Sequence, residues 1–420
     1  MKRNRLKIIV STIFIFLFAK ICLAQPIVII PHKYLPSYFI AVDKNKQRLF
    51  LIEHNGTINI IAQIPCSTGS SNGDKFFQGD EKTPEGVYFI TRKIKRPLDF
   101  SLYGNLAYAT NYPNPIDRLF DKDGGGIWLH GRGKKLIPYD TRGCVAVETA
   151  NLRKIEKYLK LKVTPILIGS NIFIKPKDKE IQKEINNIKD KVLKWINYWR
   201  KKDPIFFSYF DPVSYSKTSR LSFKRFIYQK EVTFLRYKWI DIFISQLNII
   251  PGPYYYVTSF FELYRSPIFK SQGLKRLYWM KINGEFKIVA SEWIHIPINL
   301  ESKYLAYHSD RLLNFVKKWK EAWEKKNYTL YAQCYDENAI QCPYKGLTSI
   351  IENKKNIWKK SGNIKIVIRD INISLHKKGF LMKFYQKYIS DMHKDSGNKI
   401  LIVYPFNDTY KIIEERWYSL

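Results

Sequence analysis

The chain has 420 residues, 45% of them hydrophobic and 15% aromatic, with 71 Lys and Arg against 37 Asp and Glu and a formal net charge of +34. That hydrophobic content is enough for ordinary cores, which excludes disorder as the main state, and the length leaves room for two or three domains. Only one apolar stretch, at the extreme N-terminus, is long enough to concern a membrane, which excludes a multi-span membrane protein. The positive charge admits nucleic acid, an anionic membrane or an acidic polymer as partner, or else a Lys-rich bias spread over solvated faces.

Lys2, Arg3, Arg5 and Lys7 precede the apolar run 8–19, and Cys22-Leu23-Ala24 places small residues three and one before a cut after Ala24. This is the pattern of a secretory signal peptide over 1–24, with an uncleaved N-terminal anchor as the alternative because Lys20 interrupts the run. Ile21 before Cys22 speaks against a lipoprotein cysteine. Either form exports the remainder, with a periplasm the expected destination, and export removes nucleic acid as partner. Beyond the leader stand Cys66, Cys144, Cys334 and Cys342, too few for a disulfide scaffold, although the last two are close enough in sequence to pair. No Cys or His spacing suits a metal, so no structural zinc is expected.

From 38 to about 170 the texture is β-rich. Runs 38–42, 48–52 and 58–64 read as strands separated by turns at 43–46 and 54–56. Gly-rich loops follow at 67–73 and 123–126. A short helix is expected to be capped by Thr149, with Leu152, Ile155 and Leu159 on one face, and 163–168 reads as a final strand. A charged helix is predicted over 178–202, where Ile181, Ile185, Ile188, Val192, Trp195 and Trp199 recur at three- and four-residue steps.

The remainder repeats at a constant offset of 124 residues. Trp195 and Trp199 correspond to Trp319 and Trp323, Asp203 to Asn327, and Phe260, Tyr264 and Ser266 to Phe384, Tyr388 and Ser390. Leu277, Asn283, Phe286, Lys287 and Trp293 correspond to Leu401, Asn407, Tyr410, Lys411 and Trp417. Each copy opens with a Trp-bearing amphipathic helix and ends in a strand pair, such as 277–281 and 286–293. A period this long reads as a domain duplication rather than a solenoid. The helix followed by a curved sheet, with Trp-x3-Trp on the first helix, resembles the nuclear-transport-factor-two-like family over about 185–295 and 308–420, which sets the two units at 178–300 and 308–420. The resemblance implies cone-shaped α+β units with an apolar pocket, and the aromatic residues at helical spacing are expected to be core.

Chemistry is expected in the β-rich segment, at Gly126-Ile-Trp-Leu-His130-Gly131 and Thr141-Arg-Gly-Cys144-Val-Ala-Val147. A cysteine after a glycine at the edge of an apolar strand is a candidate nucleophile, and it needs a base to form thiolate. His130 ends the apolar strand 127–129, and two neighbouring strand ends would bring it to Cys144. Taken alone, one His and one Cys fourteen residues apart also fit a structural cysteine and a surface histidine.

Cys66-Ser-Thr-Gly69, Gly79-Asp80 and Thr83-Pro84-Glu85-Gly86-Val-Tyr88 precede those motifs in order. Together the segments resemble the L,D-transpeptidase catalytic (YkuD) domain over 37–170, whose signature is a His-Gly strand end followed by Ser/Thr-x-Gly-Cys. The resemblance implies a mainly β, sandwich-like domain acting on peptidoglycan stem peptides, with no metal or organic cofactor. It implies Cys144 as nucleophile, His130 as general base oriented by the Gly131 carbonyl, and an oxyanion site made by Gly143 and the Cys144 N–H, with Thr141 in the Ser/Thr position. Arg142 stands where many relatives have a second His, and Ala146 where many have an Arg, so Arg142 or Arg132 is the candidate for holding a substrate carboxylate. The combination with nuclear-transport-factor-two-like units resembles a branch associated with helical cell shape. That branch implies either transpeptidation or L,D-carboxypeptidation, and a non-catalytic wall-binding scaffold is the alternative of another class. About +21 of the charge lies beyond residue 170, on the duplicated half. This favours an anionic wall polymer or membrane as a further partner.

Overall fold

The computed structural model describes residues 25–420, so the leader at 1–24 lies outside the described residues. The N-terminal part contains β1 (Ile27–Ile29), β2 (Tyr38–Asp43), β3 (Arg48–His54), β4 (Ile58–Ser67), β5 (Gly86–Lys93), β6 (Ala107–Thr110), β7 (Trp128–His130), β8 (Val145–Val147), β9 (Pro165–Gly169) and β10 (Ile172–Ile174). Eight of them close on themselves in the order β2-β3-β4-β8-β7-β6-β5-β9. The layered β wall expected of this segment is therefore one sheet rolled into a barrel, which leaves it no open edge. Closure needs two parallel pairings, β2 with β9 from the far end of the segment and β7 with its successor β8.

Along β2 the side-chain period of two separates two cores. Ile40 and Val42 point into the barrel with Leu49, Leu51, Leu129, Val145 and Val147. Phe39 and Ala41 point outward and join Val87, Phe89 and residues of the next unit, including Val257, Tyr278 and Met280. The barrel and the first repeat thus share one apolar cluster. The Tyr255 hydroxyl seals it, accepting from Val87 N at 2.8 Å, and the Arg276 guanidinium lies 3.4 Å over the Phe89 ring. The short helix Thr149–Ile155 buries Leu152 and Ile155, but Thr149 is not its cap. Its hydroxyl donates to Arg132 O at 3.1 Å, which fastens the helix to the loop after β7 instead.

The helix Lys179–Lys201 is capped by Asp178 and places Ile185, Ile188, Val192, Trp195 and Trp199 against a four-stranded antiparallel sheet. That sheet runs in order β11 (Asp241–Pro251), β12 (Tyr256–Arg265), β13 (Lys270–Ile282) and β14 (Glu285–Ile294). The second unit repeats this with helix Glu301–Glu324 and strands β15 (Tyr335–Gln341), β16 (Tyr344–Lys345), β17 (Ile364–His376), β18 (Gly379–Ser390), β19 (Lys394–Phe406) and β20 (Thr409–Ser419). Its six-stranded sheet has the order β16-β15-β20-β19-β18-β17. The 124-residue offset survives in detail. Asn283 and Asn407 both take φ of 51° at the equivalent hairpin turns, and Ser266 and Ser390 accept from Phe269 N and His393 N three residues on. The copies differ where the second has strand β15, because the first has the helix Pro212–Thr218 there. Cys334 and Cys342 are both free thiols, one buried and one exposed, so they do not pair.

A buried polar cluster joins the two units. Asp241, 3% exposed, accepts from the Tyr304 hydroxyl at 2.7 Å and lies 3.0 Å from both His308 Nε2 and Arg200 Nε. The other ring nitrogen of His308 is 2.7 Å from the Tyr410 hydroxyl. Among the described residues no helix is long and apolar enough to cross a membrane.

Candidate active site

The parallel pairing of β7 with β8 sets Leu129 beside Val145 and His130 beside Ala146. Cys144, just before Val145, therefore stands beside Trp128, two residues before His130 on the same face of β7. His130 and Cys144 both line an open cavity of about 430 Å³ there, together with Ser70, Glu81, Tyr103, Arg132, Lys134, Thr141 and Arg142. Two residues fourteen positions apart become one site because the two strands are neighbours.

The loop before Cys144 is held by Thr141. Its hydroxyl donates to the Cys144 carbonyl at 2.8 Å and accepts from Gly143 N at 3.1 Å. The Gly143 N–H is thus already bonded, which corrects the expectation that it serves as an oxyanion donor. Among the described residues the Cys144 N–H donates to no protein group, so it is the free donor of the pair. Gly143 is required for its shape. Its φ is +114°, and a Cβ there would meet the Lys82 carbonyl at 2.6 Å. The motif around Gly69 lies alongside, with Ser70 N donating to Thr141 O at 2.9 Å and Thr141 N to Thr68 O at 3.1 Å. Thr83 joins it by accepting from Gly69 N at 2.8 Å. Asp80 accepts from Lys75, Phe76 N and Lys82 N, and so shapes the neighbouring loop.

His130 is 3% exposed, and its Nδ1 lies 2.7 Å from the Gly131 carbonyl. A carbonyl only accepts, so Nδ1 carries the proton and Nε2 is left with its lone pair. Burial pushes the imidazole down to about 4, against the pull of the Gly131 carbonyl and with help from the Arg132 charge. Burial pushes the Cys144 thiol up to about 11, with the Trp128 N–H and Lys75 acting in the opposite sense. Sγ sits 3.4 Å from both Trp128 N and the Gly126 carbonyl. Burial thus disfavours the charged form of both groups, the thiolate and the imidazolium. Cys66 is buried in the barrel core and pushed further, to about 12.

The two arginines separate cleanly. Arg132 is 7% exposed and clamps Asp140, with Nη1 on its carbonyl at 2.8 Å and Nη2 on its carboxylate. Arg142 is exposed at the cavity and, among the described residues, makes no ion pair. Ala146 is fully buried between Ser67 and His130 in the sheet. Sequence reasoning missed Tyr103. Its ring stands edge-on to His130 at 5.0 Å and leans on Trp128 at 5.4 Å, held by the four-residue helix Phe100–Tyr103. A helix that short has no periodicity to read.

Each repeat encloses a second kind of cavity. In the first, Trp199, Lys230, Glu262, Tyr264, Lys275 and Trp293 line it. In the second, the residues 124 positions on do so: Trp323, Lys354, Gln386, Tyr388, Lys399 and Trp417. Lys230 Nζ stands 4.2 Å over the Trp199 ring and Lys354 Nζ 3.8 Å over the Trp323 ring. Burial pushes both amines down to about 8; beside Lys230, Lys275 adds to this and Glu262 opposes it, and beside Lys354, Glu415 opposes it and Lys399 adds to it. Trp195 and Trp319 are core, as expected of the aromatic stripe, while Trp199 and Trp323 also wall a cavity.

The L,D-transpeptidase catalytic domain (YkuD) family matches residues 37–168, and the Cds6 C-terminal NTF2-like domain matches twice, at 187–292 and 311–416. The structure of Bd1075 from Bdellovibrio bacteriovorus is similar at 29% identity and a TM-score of 0.53, covering 66% of this chain and 99% of that one. The helical cell shape determining protein Pgp2 from Campylobacter jejuni is similar at 30% identity and a TM-score of 0.51, covering 62% and 94%. Among curated proteins none matches. With one YkuD domain followed by two Cds6-type units, the chain belongs to the L,D-transpeptidase catalytic domain family, in the branch that carries C-terminal nuclear-transport-factor-two-like units.

Proposed function

We propose that the chain is an exported cysteine acyltransferase acting on peptidoglycan stem peptides, with Cys144 as nucleophile and His130 as general base. The observation that carries this is the one cavity lined by both the Cys144 thiol and the His130 imidazole, whose Nδ1 is held by the Gly131 carbonyl and whose Nε2 keeps its lone pair. Nε2 takes the thiol proton as Sγ attacks the carbonyl between an L centre and the terminal D-residue. The tetrahedral oxyanion accepts from the Cys144 N–H. The C–N bond then breaks, the imidazolium proton goes to the leaving amine, and a thioester remains on Cys144. An acceptor amine resolves it as a cross-link, and water resolves it as a trimmed tripeptide.

The cell-shape role of Pgp2 favours the trimming outcome as the leading alternative, because the chain shares its domain order over nearly the whole of that protein. Incubation of the purified protein with tetrapeptide muropeptides separates the two. Dimers with 3-3 links mean transfer, tripeptide with free D-alanine means hydrolysis, and neither product would refute the enzyme reading. A wall-binding role for the duplicated half is the second reading. The two equivalent Lys–Trp cavities favour it, and it is compatible with catalysis. The double variant Lys230→Gln, Lys354→Gln in the whole chain tests it by loss of sacculus binding with retained Cys144 alkylation, and unchanged sacculus binding would refute it.

A further inference from the structure

We propose that the outward face of the helix Phe223–Arg236 docks the chain on an anionic phospholipid surface. The inner face of this helix is well used. Phe223, Phe226 and Phe234 pack on Phe206, Phe210 and Tyr215. The outer face nevertheless carries Tyr228, Val232 and Leu235, which are 67%, 46% and 88% exposed. At about 100° per residue these three fall within an arc of about 60°. Lys224, Arg225 and Arg236 flank them, all exposed, against the single acid Glu231. Among the described residues, none of the three cations makes an ion pair.

The duplication supplies an internal control. The helix Leu347–Lys360 of the second unit is the same element 124 residues on, with the same bounds. At the three equivalent positions it has Glu352, Asn356 and Lys359. The fold of the unit therefore does not need an apolar outer stripe, and only the first copy has one. A wall polymer would satisfy the cations but offers no apolar phase for Leu235. An anionic bilayer interface takes up both, which is how basic amphipathic helices lie on membranes. The inference rests on export, which brings the chain to a lipid surface, and not on the acyl-transfer chemistry.

The test uses the chain from Gln25, which contains every buried residue of the four cores. The triple substitution Tyr228→Glu, Val232→Asn, Leu235→Lys installs the second unit's residues and leaves net charge unchanged. In sedimentation with phosphatidylcholine vesicles containing phosphatidylglycerol, the native sequence should pellet, less so at high salt or with phosphatidylcholine alone. The triple variant should partition at least about tenfold more weakly, with unchanged circular dichroism and Cys144 alkylation. Leu235→Lys alone serves as the milder version and should give part of the loss. Equal partitioning of native and triple variant would overturn the proposal. So would a stripe-dependent dimer, or stripe-dependent sacculus binding, by a protein that ignores the vesicles. Muropeptide turnover reads the acyl-transfer proposal separately, because the three substitutions touch none of the residues at the thiol site.

Discussion

Arg132 and Arg142 look equivalent in sequence, and the structure assigns them opposite consequences. Arg132→Ala removes a guanidinium that is almost wholly buried and bonded twice to Asp140. Breaking a fully buried pair costs about 3–5 kcal/mol. Because the Asp140 side chain is 41% exposed, its carboxylate rehydrates, and the expected loss is nearer ~2 kcal/mol. For domains of this size that lowers Tm by about 4–8 °C. Arg142→Ala removes an exposed side chain that has no ion pair among the described residues, so Tm should stay within about 1 °C. If Arg142 binds a stem-peptide carboxylate, the lost charge-assisted hydrogen bond is worth about 1.5–3 kcal/mol, or about 10–100-fold in KM with kcat little changed. Thermal unfolding and steady-state kinetics on a tetrapeptide measure both. An unchanged KM for Arg142→Ala would refute its role, and an unchanged Tm for Arg132→Ala would refute the structural one.

Four further outcomes follow from the geometry. Alkylation of Cys144 should rise toward about pH 11 and outpace that of Cys66, and His130→Ala should leave it nearly unchanged while cutting kcat by about 10²–10⁴-fold; a thiolate titrating near neutrality and lost in His130→Ala would mean an ion pair instead. In the same kinetics, the acid limb of kcat/KM should fall at about pH 4, where the free imidazole protonates. Thr141→Val should lower kcat by about 10–100-fold through loss of its two bonds to the Gly143–Cys144 turn, with Thr141→Ser restoring it; equal kcat in Val and Ser variants would contradict this. Burial pushes the Asp241 carboxyl up, but His308, Arg200 and Tyr304 outweigh that and hold it at about 2, below its unfolded value of about 3.9. The resulting stabilisation, on the order of 2 kcal/mol, is complete above about pH 5 and is lost as pH falls through about 2. The Tm gap between native protein and Asp241→Asn should therefore narrow across that window, and a constant gap would contradict the account.

Local patterns made much of this legible. The period-two strands at 38–64, the helix 178–202 and the duplication are all readable because each is set by neighbours in sequence or by a register that repeats. The motifs around Gly69, His130 and Cys144 were readable for the same reason. Barrel closure was not, since it depends on β2 meeting β9 and β7 meeting β8 across more than a hundred and about fifteen residues of chain respectively. Thr149 looked like a cap because a hydroxyl before an apolar run usually caps, yet a nearer tertiary acceptor, Arg132 O, took its proton. Gly143 looked like an oxyanion donor until Thr141 claimed its N–H. The division of labour between Arg132 and Arg142 depends on where Asp140 lies, which no spacing encodes. The helix Pro212–Thr218, standing where the second copy has a strand, falls where the two copies share no residue, so there the local sequence overrides the repeat.

The most direct test of the central claim is mass spectrometry of the protein quenched in acid during turnover of a tetrapeptide muropeptide. The account predicts a thioester adduct of the tripeptide moiety on the peptide containing Cys144, formed with one equivalent of free D-alanine and absent in Cys144→Ala. Turnover that persists in Cys144→Ala, or an adduct on Cys66 instead, would contradict it.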